Sequence, residues 1–440
     1  MHAIFLKGIR RLKGLASVGV TVSSTGSAGR MVESSSARVL VVANHGLTYG
    51  SLYSYDYLLS SNDDSPRHPR NVAYLARERR LLENGQQAVG LEDLLSFGGW
   101  FRGVRLAISK LRIRNLTLGA LPMAFRRVAF LSRAMRYEAG LRKSFPDLRL
   151  AILLYDIQTP VELLYALHRV GVRTVSNHER PQIGLVPYLP LVADHLMVES
   201  AYFGEALRAS EFAHVSECHP VGLWRSDALF DDGSRLHPRR GRPMVLVLPL
   251  TPSREIRQSA QPSELSGNGF RHFLSDVLAL AEQHPEADFV VRTKNPEWLR
   301  SRDFVEQIAR LRSATNIQIS DDYETPMEAY RLCRQARVVI AKYTSMVDEA
   351  LASGIPVIIH DYTHNRHPGA CLVSRHIPDH CFAHNFDELS SKLGEHLTPL
   401  SSSEHSRRQS LQQAVYGDLG DGRVTERVGQ VLDQILDEVT

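Results

Sequence analysis

A stretch late in the chain, YTSMVDEALASGIPV (residues 343–357), places hydroxyl and carboxylate groups at the start of a predicted helix. The apolar run before it ends at Tyr343, and Thr344 or Ser345 caps the helix that follows. Backbone N–H groups at a helix start bind anions, and the hydroxyls add donors for a phosphate. Glu349 lies four residues after Ser345 on the same helix face, where its carboxylate can accept hydrogen bonds from ribose hydroxyls, outside the core. An ordinary capped helix packed on a sheet explains the same residues.

Three other segments of this half place polar side chains just after apolar runs. They are VLPLTPSRE with Thr251, Ser253 and Arg254, VVRTKNPEW with Arg292 and Lys294, and SDDYETP with Asp321 and Tyr323. Ligands of open parallel sheets bind outside the carboxyl ends of the strands. Two cations on one side of a strand end suit a diphosphate, and Tyr323 suits contact with a base. Each segment alone also fits a solvated strand end or a plain helix start.

Short apolar runs alternate with amphipathic patterns in both halves of the sequence. The predicted strands are 39–43, 148–156, 172–177 and 194–200, then 243–250, 288–294, 316–321, 337–343 and 356–362; the predicted helices include 270–283, 303–313, 326–334 and 345–353. This alternation predicts parallel sheets covered by helices on both faces. We therefore expect an α/β protein of two Rossmann-like, doubly wound domains. No G-x-G-x-x-G motif is present, which disfavours a dinucleotide dehydrogenase.

Length and composition agree with a two-domain globular protein. The chain has 440 residues, 43% of them apolar and 23% charged, which suits two domains of roughly 150–200 residues. The expected parts are a basic segment and linker (1–36), two domains (37–221 and 222–415) and a C-terminal helix (416–440). The net charge of +4 gives no indication of nucleic acid binding, and the four cysteines form no C-x-x-C pair, which favours a reducing compartment.

The C-terminal half resembles the donor domain of GT-B glycosyltransferases. The similarity is greatest to bacterial surface-polysaccharide enzymes, the CDP-glycerol glycerophosphotransferase-like and β-Kdo transferase-like proteins. The residues that carry it are Thr344, Ser345, Glu349, Ala350, Leu351, Gly354, Pro356 and Val357, together with Gly222, Arg225 and Asp227 of VGLWRSD, where Trp224 replaces a proline. The resemblance covers residues 170–362. It implies two domains facing across a cleft, no bound metal or cofactor, and a nucleotide-sugar donor, with CMP- or CDP-activated sugars favoured.

Histidines of the first half are candidates for the acceptor-side chemistry. SNHERPQIG (176–184) follows a predicted strand and resembles the segment where glycerophosphotransferase-like relatives carry a catalytic histidine. His178 could then remove a proton from an acceptor hydroxyl, since histidine titrates near working pH. Glu179 could supply a carboxylate or orient the imidazole. His45, after the first strand, is a second candidate base, although a lone histidine at a strand end is usually structural.

Histidines after the last predicted strand allow a metal interpretation that we disfavour. His360, His364 and His367 lie in HDYTHNRHP, with Cys371 nearby. Pro368 and the preceding strand indicate a loop, and no zinc pattern of known spacing is present. Loop contacts to a donor are the better expectation.

Two segments suggest a surface for anionic partners. Residues 99–143 hold eleven Arg or Lys and one acidic residue, Glu138, interleaved with aromatic and leucine side chains. They predict two amphipathic helices whose cationic face is either simply solvated or binds anionic lipid headgroups or an anionic acceptor. Nucleic acid is a third option, without a recognised reading motif. Residues 1–15 fit an interfacial helix, a weak signal peptide or a frayed tail.

These observations together predict a metal-independent glycosyltransferase. It would move a sugar, or a related polyol phosphate, from a nucleotide donor to a bacterial surface glycan (capsule or lipopolysaccharide) or a lipid-linked acceptor. The expected location is the cytoplasm or the inner face of the cytoplasmic membrane, with no nucleic acid partner. Two alternatives remain: a sugar-nucleotide epimerase of the same fold, and a non-catalytic scaffold that binds glycan or membrane.

Overall fold

The computed structural model describes about three fifths of the chain. The described residues are 37–43, 72–76, 80–81, 87–91, 94–95, 97–110, 121–153, 159–178, 191–223, 226–229, 241–249, 267–293, 296–320, 327–342, 344, 346–362, 377, 379–398, 413 and 415–439. Within them the chain forms two sheets, almost entirely parallel, with helices on their faces. The predicted α/β class with two doubly wound units is confirmed.

The first sheet contains eight strands. They are β1 (Val39–Ala43), β2 (Val72–Ala76), β3 (Arg80–Leu81), β4 (Gln87–Gly90), β5 (Leu150–Leu153), β6 (Arg173–Asn177), β7 (Leu191–Val198) and β8 (Ala213–Pro220), in the spatial order β3-β4-β2-β1-β5-β6-β7-β8. The helices of this half are α1 (Phe97–Lys110), α2 (Leu121–Ser144), α3 (Val161–Arg169) and α4 (Ala201–Ala209). Only β3 and β4 pair antiparallel among the described strands.

The second sheet contains six strands, all pairing parallel. They are β9 (Met244–Leu248), β10 (Asp288–Arg292), β11 (Ile317–Ser320), β12 (Val338–Ala341), β13 (Val357–His360) and β14 (Phe382–Ala383), in the order β11-β10-β9-β12-β13-β14. The helices that follow the strands are α5 (Gly267–Gln283), α6 (Val305–Ser313), α7 (Met327–Gln335), α8 (Met346–Ala352), α9 (Phe386–Leu397) and α10 (Val424–Val439). Strand order reverses beside β9, the place where open α/β sheets bind ligands.

The C-terminal helix α10 packs on the first sheet, not the second. Its apolar side, at Val424, Val428 and Leu432, shares one buried cluster with Val41 of β1 and Val175 of β6. The opposite face of that sheet is covered by α2 and α3. The chain therefore returns to its first half after completing the second, and this crossing ties the two halves together.

The VGLWRSD segment makes this return possible. Gly222 has a φ of 102°, and a Cβ at that position would lie 2.7 Å from Val424 Cγ2 and 2.8 Å from the Leu419 carbonyl oxygen. Only glycine fits such a backbone and such a close approach. Asp227 accepts hydrogen bonds from the backbone N–H groups of Val424 (2.9 Å) and Thr425 (2.7 Å) and so caps α10.

A second buried cluster contains residues of both halves. Leu196, Phe203 and Leu207 from the first half pack with residues of the second, including Met346 and Tyr416. Apolar burial of this kind is the main favourable term for holding two units together. No helix in the part of the chain that the structure describes is both long and apolar enough to cross a bilayer.

Candidate functional site

His178 follows β6, as the sequence predicts, and forms a buried pair with a glutamate from the next strand. Its Nδ1 lies 2.6 Å from Glu199 Oε2, and both side chains are at most 2% exposed. β6 and β7 run parallel and in register, so the residues that follow them meet at one edge of the sheet. A carboxylate only accepts hydrogen bonds, so an ionised Glu199 places the hydrogen on Nδ1 and leaves Nε2 to accept a proton.

Glu199 is a functional candidate that the sequence reasoning missed. We expected Glu179 to orient the imidazole, but Glu179 lies outside the described residues and Glu199 occupies that position. The signal was present in the sequence, because Glu199 is the next-to-last residue of the predicted strand 194–200, and strand 172–177 precedes His178. The Oε1 atom of Glu199 is buried and has no hydrogen-bond partner within the described part of the chain.

The start of α4 connects the His178–Glu199 pair to residues 415–416, which precede the C-terminal helix α10. Ser200, next to Glu199, donates its hydroxyl hydrogen to the Val415 carbonyl oxygen. The Phe203 ring lies 6.2 Å from the His178 ring and 6.3 Å from the Tyr416 ring, centroid to centroid. Residues 415–416, just before the return to the first half, therefore contact Ser200 and Phe203, which adjoin the His178–Glu199 pair.

Tyr416 makes a polar contact with the second half of the chain. Its hydroxyl donates to Asp348 Oδ1 at 2.6 Å, on α8. Burial, and secondly the Asp348 carboxylate, raise the pKa of Tyr416 well above its usual value; Glu199 and Glu349 act in the same direction. Tyr416 thus lies between the carboxylates of the two halves and keeps its proton, so that it acts as a hydrogen-bond donor.

Glu349, predicted to bind ribose, lies on α8 beside Asp348. The structure differs from our expectation in one respect: Glu349 is 4% exposed, so its side chain belongs to the core. Its Oε1 accepts a hydrogen bond from the Tyr330 hydroxyl at 3.2 Å. The helix begins at Met346 and Gly354 follows its end with a φ of 72°, as the sequence predicts. Thr344 precedes the helix, partly buried, with its carbonyl bonded to Val347 N.

Two cationic side chains lie at the carboxyl edge of the second sheet. Arg292 ends β10 and is buried, and its Nη1 donates to Ser320 Oγ of β11 at 3.1 Å. Lys342, which follows β12, has no exposed surface, and its Nζ lies 5.6 Å from the centre of the Phe273 ring. Lys342 was not singled out from the sequence, although it ends the strand before the Thr344–Glu349 segment. Its place just after β12, at the edge where open α/β sheets bind ligands, makes it a candidate donor-site cation.

His360 is buried and contacts other side chains of the second half. Its Nε2 lies 2.9 Å from Asp276 Oδ2 of α5, and its ring stacks on Tyr362 with centroids 3.9 Å apart. It is 1% exposed. His364, His367 and Cys371 lie outside the described residues, so the loop contacts expected of them stay predictions.

Several predicted site residues lie outside the described residues. They are His45 and Glu179 on the acceptor side, and Thr251, Ser253, Arg254, Lys294, Tyr323 and Ser345 on the donor side. Their assigned roles stay predictions. Of the predicted set, the structure places His178, Arg292, Thr344 and Glu349, all at the carboxyl edges of the two sheets.

Comparison with solved structures identifies the architecture. A structure from Listeria monocytogenes, assigned as a UDP-N-acetylglucosamine 2-epimerase, matches 93% of this chain and 98% of its own with a TM-score of 0.53 and 12% identity. The chain has the GT-B fold. S. aureus MnaA, solved with UDP, matches with a TM-score of 0.53 and 11% identity over 91% of this chain and 97% of its own. A variant of the wall teichoic acid polymerase TagF matches with a TM-score of 0.52 and 9% identity, over 100% of this chain and 98% of its own.

The predicted GT-B resemblance is therefore confirmed at the level of fold. No protein-family profile matches the sequence, and the comparison with curated proteins found no match either. At identities of 9–12% the similar structures establish architecture alone. Substrate and reaction have to be argued from the residues of this GT-B chain.

Proposed function

We propose that this GT-B chain is a glycosyltransferase that moves a sugar, or a related polyol phosphate, from a nucleotide-activated donor to a glycan or lipid-linked acceptor. The observation that carries the proposal is the buried His178–Glu199 pair at 2.6 Å. Phe203 lies between this pair and Tyr416, whose hydroxyl bonds Asp348 of α8. The edge of the first sheet thus offers a proton acceptor, and the edge of the second offers groups that suit a nucleotide.

On the acceptor side, His178 is the proposed general base. Glu199 holds the imidazole by its Nδ1 and stabilises the positive charge that appears when Nε2 takes a proton from an acceptor hydroxyl. The Oε1 atom of Glu199 adds a hydrogen-bond acceptor at the same place. A base of this kind contributes about 10²–10⁴-fold to a proton-transfer step.

On the donor side, cations and the α8 segment form the proposed nucleotide site. Arg292 and Lys342, with Lys294, would neutralise the charge of the departing phosphate. Glu349 would bind the ribose hydroxyls through its carboxylate. Thr344 precedes the helix on the same edge of the sheet, and its hydroxyl, with that of the next residue in sequence, Ser345, would serve a phosphate oxygen.

A sugar-nucleotide epimerase is the second candidate function. It is favoured by the similarity in fold to the L. monocytogenes structure and to MnaA, both with TM-scores of 0.53. An epimerase also needs a proton acceptor next to a nucleotide site, so the His178–Glu199 pair serves this reaction equally well. Only the fate of the donor separates the two.

The deciding experiment follows the donor in D₂O. The purified chain is first screened against CMP, CDP, UDP and GDP by thermal shift, since a bound nucleotide raises the midpoint by mass action. The matching nucleotide-sugar is then incubated with and without candidate acceptors. Transfer releases nucleotide only when an acceptor is present, and puts no deuterium on the sugar. A new epimer that carries deuterium, formed without an acceptor, would establish the epimerase and overturn the transferase.

A cationic surface of the first half supports a membrane-side location for the acceptor. Arg126, Arg127 and Arg133 of α2 are exposed. On α1, Trp100 and Phe101 expose 42% and 60% of their surface. Aromatic and arginine side chains together suit the headgroup region of an anionic bilayer. We therefore propose that the protein acts at the cytoplasmic face of a membrane.

A further inference from the structure

Three potential metal ligands lie together on the first sheet, away from the candidate active site. β7 and β8 pair in parallel, with His195 opposite Glu217 and Met197 opposite His219. Side chains alternate along a strand, so His195, Glu217 and His219 project from the same face of the sheet as Met197. Met197 belongs to the cluster that packs against α10, so the three residues lie on the face that this helix covers.

The three donor atoms are spaced as ligands of one ion. His195 Nδ1 lies 3.1 Å from His219 Nε2, and Glu217 Oε2 lies 3.6 Å from the first and 3.8 Å from the second. A triangle with these sides has a centre about 2.0 Å from each corner, which is the length of a zinc–nitrogen or zinc–oxygen bond. The three distances join the same three atoms pairwise, so all three could bind one ion without a change of side-chain rotamer.

The environment also suits a cation with open coordination. The His195 and His219 side chains are 5% and 15% exposed, whereas Glu217 is 58% exposed. Buried imidazoles hold the ion in place, and the solvent side at Glu217 leaves room for water as a further ligand. Among the described residues this is the one group of three or more His, Cys, Asp or Glu side chains with such spacing.

We propose that His195, Glu217 and His219 form a binding site for a divalent transition metal, with Zn²⁺ as the best match. Two imidazole nitrogens and one carboxylate oxygen are ligands typical of zinc, whereas Mg²⁺ and Ca²⁺ prefer oxygen alone. His195 lies four positions before Glu199, about 13 Å along the strand, so the ion takes no part in the chemistry at His178. It joins the edge strand β8 to β7 next to the end of α10, where Glu438 acts electrostatically on His219.

The test measures Zn²⁺ binding to the full chain after chelator treatment and dialysis. Isothermal titration of the wild type should give one equivalent, and Co²⁺ should give a visible absorption band from nitrogen ligation. His219→Ala and Glu217→Gln should each weaken Zn²⁺ binding at least tenfold. His214→Ala is the matched control, since His214 lies on β8 but on the opposite face.

Three results would overturn the proposal. They are a wild type that takes up no Zn²⁺, binding that survives in both ligand variants, and a control variant that loses binding as fully as His219→Ala. The second result would place the ion on other histidines, such as those near His364. Glu217 is mostly exposed, so Glu217→Gln should fold. At the same concentration, Zn²⁺ should raise the thermal midpoint of the wild type and of His214→Ala by more than that of Glu217→Gln.

Discussion

The carboxyl edges of the two sheets use buried carboxylates in different ways. In the first half, Glu199 lies 2.6 Å from an imidazole, a group that can accept and donate a proton. In the second half, Glu349 and Asp348 are held by the hydroxyls of Tyr330 and Tyr416, and burial raises the pKa of Tyr416 well above its usual value. The first arrangement suits a proton that moves during a reaction, and the second suits a ligand that is held.

The comparison shows that two similar sheets can place carboxylates beside different partners. Both units place polar residues at the carboxyl ends of parallel strands, as open α/β sheets do. What distinguishes them is the partner that each carboxylate meets across the sheet edge. Variants that alter one partner at a time should therefore separate turnover from donor binding.

The largest expected effect is on turnover, from His178→Ala. Loss of the proposed base should lower kcat by about 10²–10⁴-fold and leave the donor dissociation constant nearly unchanged, because the donor groups belong to the other half. Steady-state kinetics and calorimetry measure the two quantities. His45→Ala and Glu179→Ala made in parallel test the other two candidates. If His178→Ala turns over at the wild-type rate, the division between the halves is wrong on the acceptor side.

Glu199→Gln tests whether the glutamate acts through the histidine. The amide keeps the shape of the side chain but removes the charge that stabilises an imidazolium, so kcat should fall less than in His178→Ala and KM should stay constant. Glu205→Gln, on the exposed side of α4, is the matched control. An equal loss in both glutamine variants would point to a general structural effect.

Membrane binding should depend on residues of the first half alone. Charge reversal of Arg126, Arg127 and Arg133 should weaken binding to anionic vesicles on the order of 100-fold, at about 1 kcal/mol per residue. Raised salt should have the same effect on the wild type. Flotation with phosphatidylserine vesicles measures it, with neutral vesicles as the control. Binding that is insensitive to both changes would remove the membrane proposal.

Donor binding should depend on the second half, through Glu349→Gln. The glutamine carbonyl can still accept the Tyr330 hydroxyl, so the core bond survives, while the amide N–H₂ cannot accept from ribose. The donor dissociation constant should rise about 10- to 100-fold, the range for hydrogen bonds to a charged group. Glu306→Gln, exposed on α6, is the control. Unchanged nucleotide affinity would refute the ribose assignment.

The smallest expected effect is on stability, from Tyr416→Phe. Loss of the hydroxyl that bonds the Asp348 carboxylate should cost about 1.5 kcal/mol of unfolding free energy, the lower end of the range for a hydrogen bond to a charged group, measured by denaturant titration. Burial raises the pKa of Tyr416 in the folded state, so its contribution to stability is fully present below the unfolded pKa of about 10 and is lost as pH rises from there through the higher folded pKa. The wild type should therefore lose more stability than Tyr416→Phe at alkaline pH. Identical alkaline profiles would contradict this.

Most of the second half could be predicted from the sequence because its strands are continuous apolar runs. β9 and β12 are fully buried, and such strands differ clearly from the helices between them. β8 was not predicted, because it is an edge strand with partly exposed side chains and polar residues such as His214 and Glu217. Edge strands lack the apolar signal on which sequence reasoning depends.

The α/β class, the position of His178 after a strand and the limits of the Thr344–Gly354 segment could be predicted from local periodicity and capping. Which side chains contact each other depends on the tertiary structure. Glu199 reaches His178 because β6 and β7 are neighbours in register. Tyr416 reaches Asp348 across 68 residues of sequence because α10 packs back on the first sheet. Contacts between strands and between halves depend on the order of elements in space, and local sequence patterns carry no information about that order.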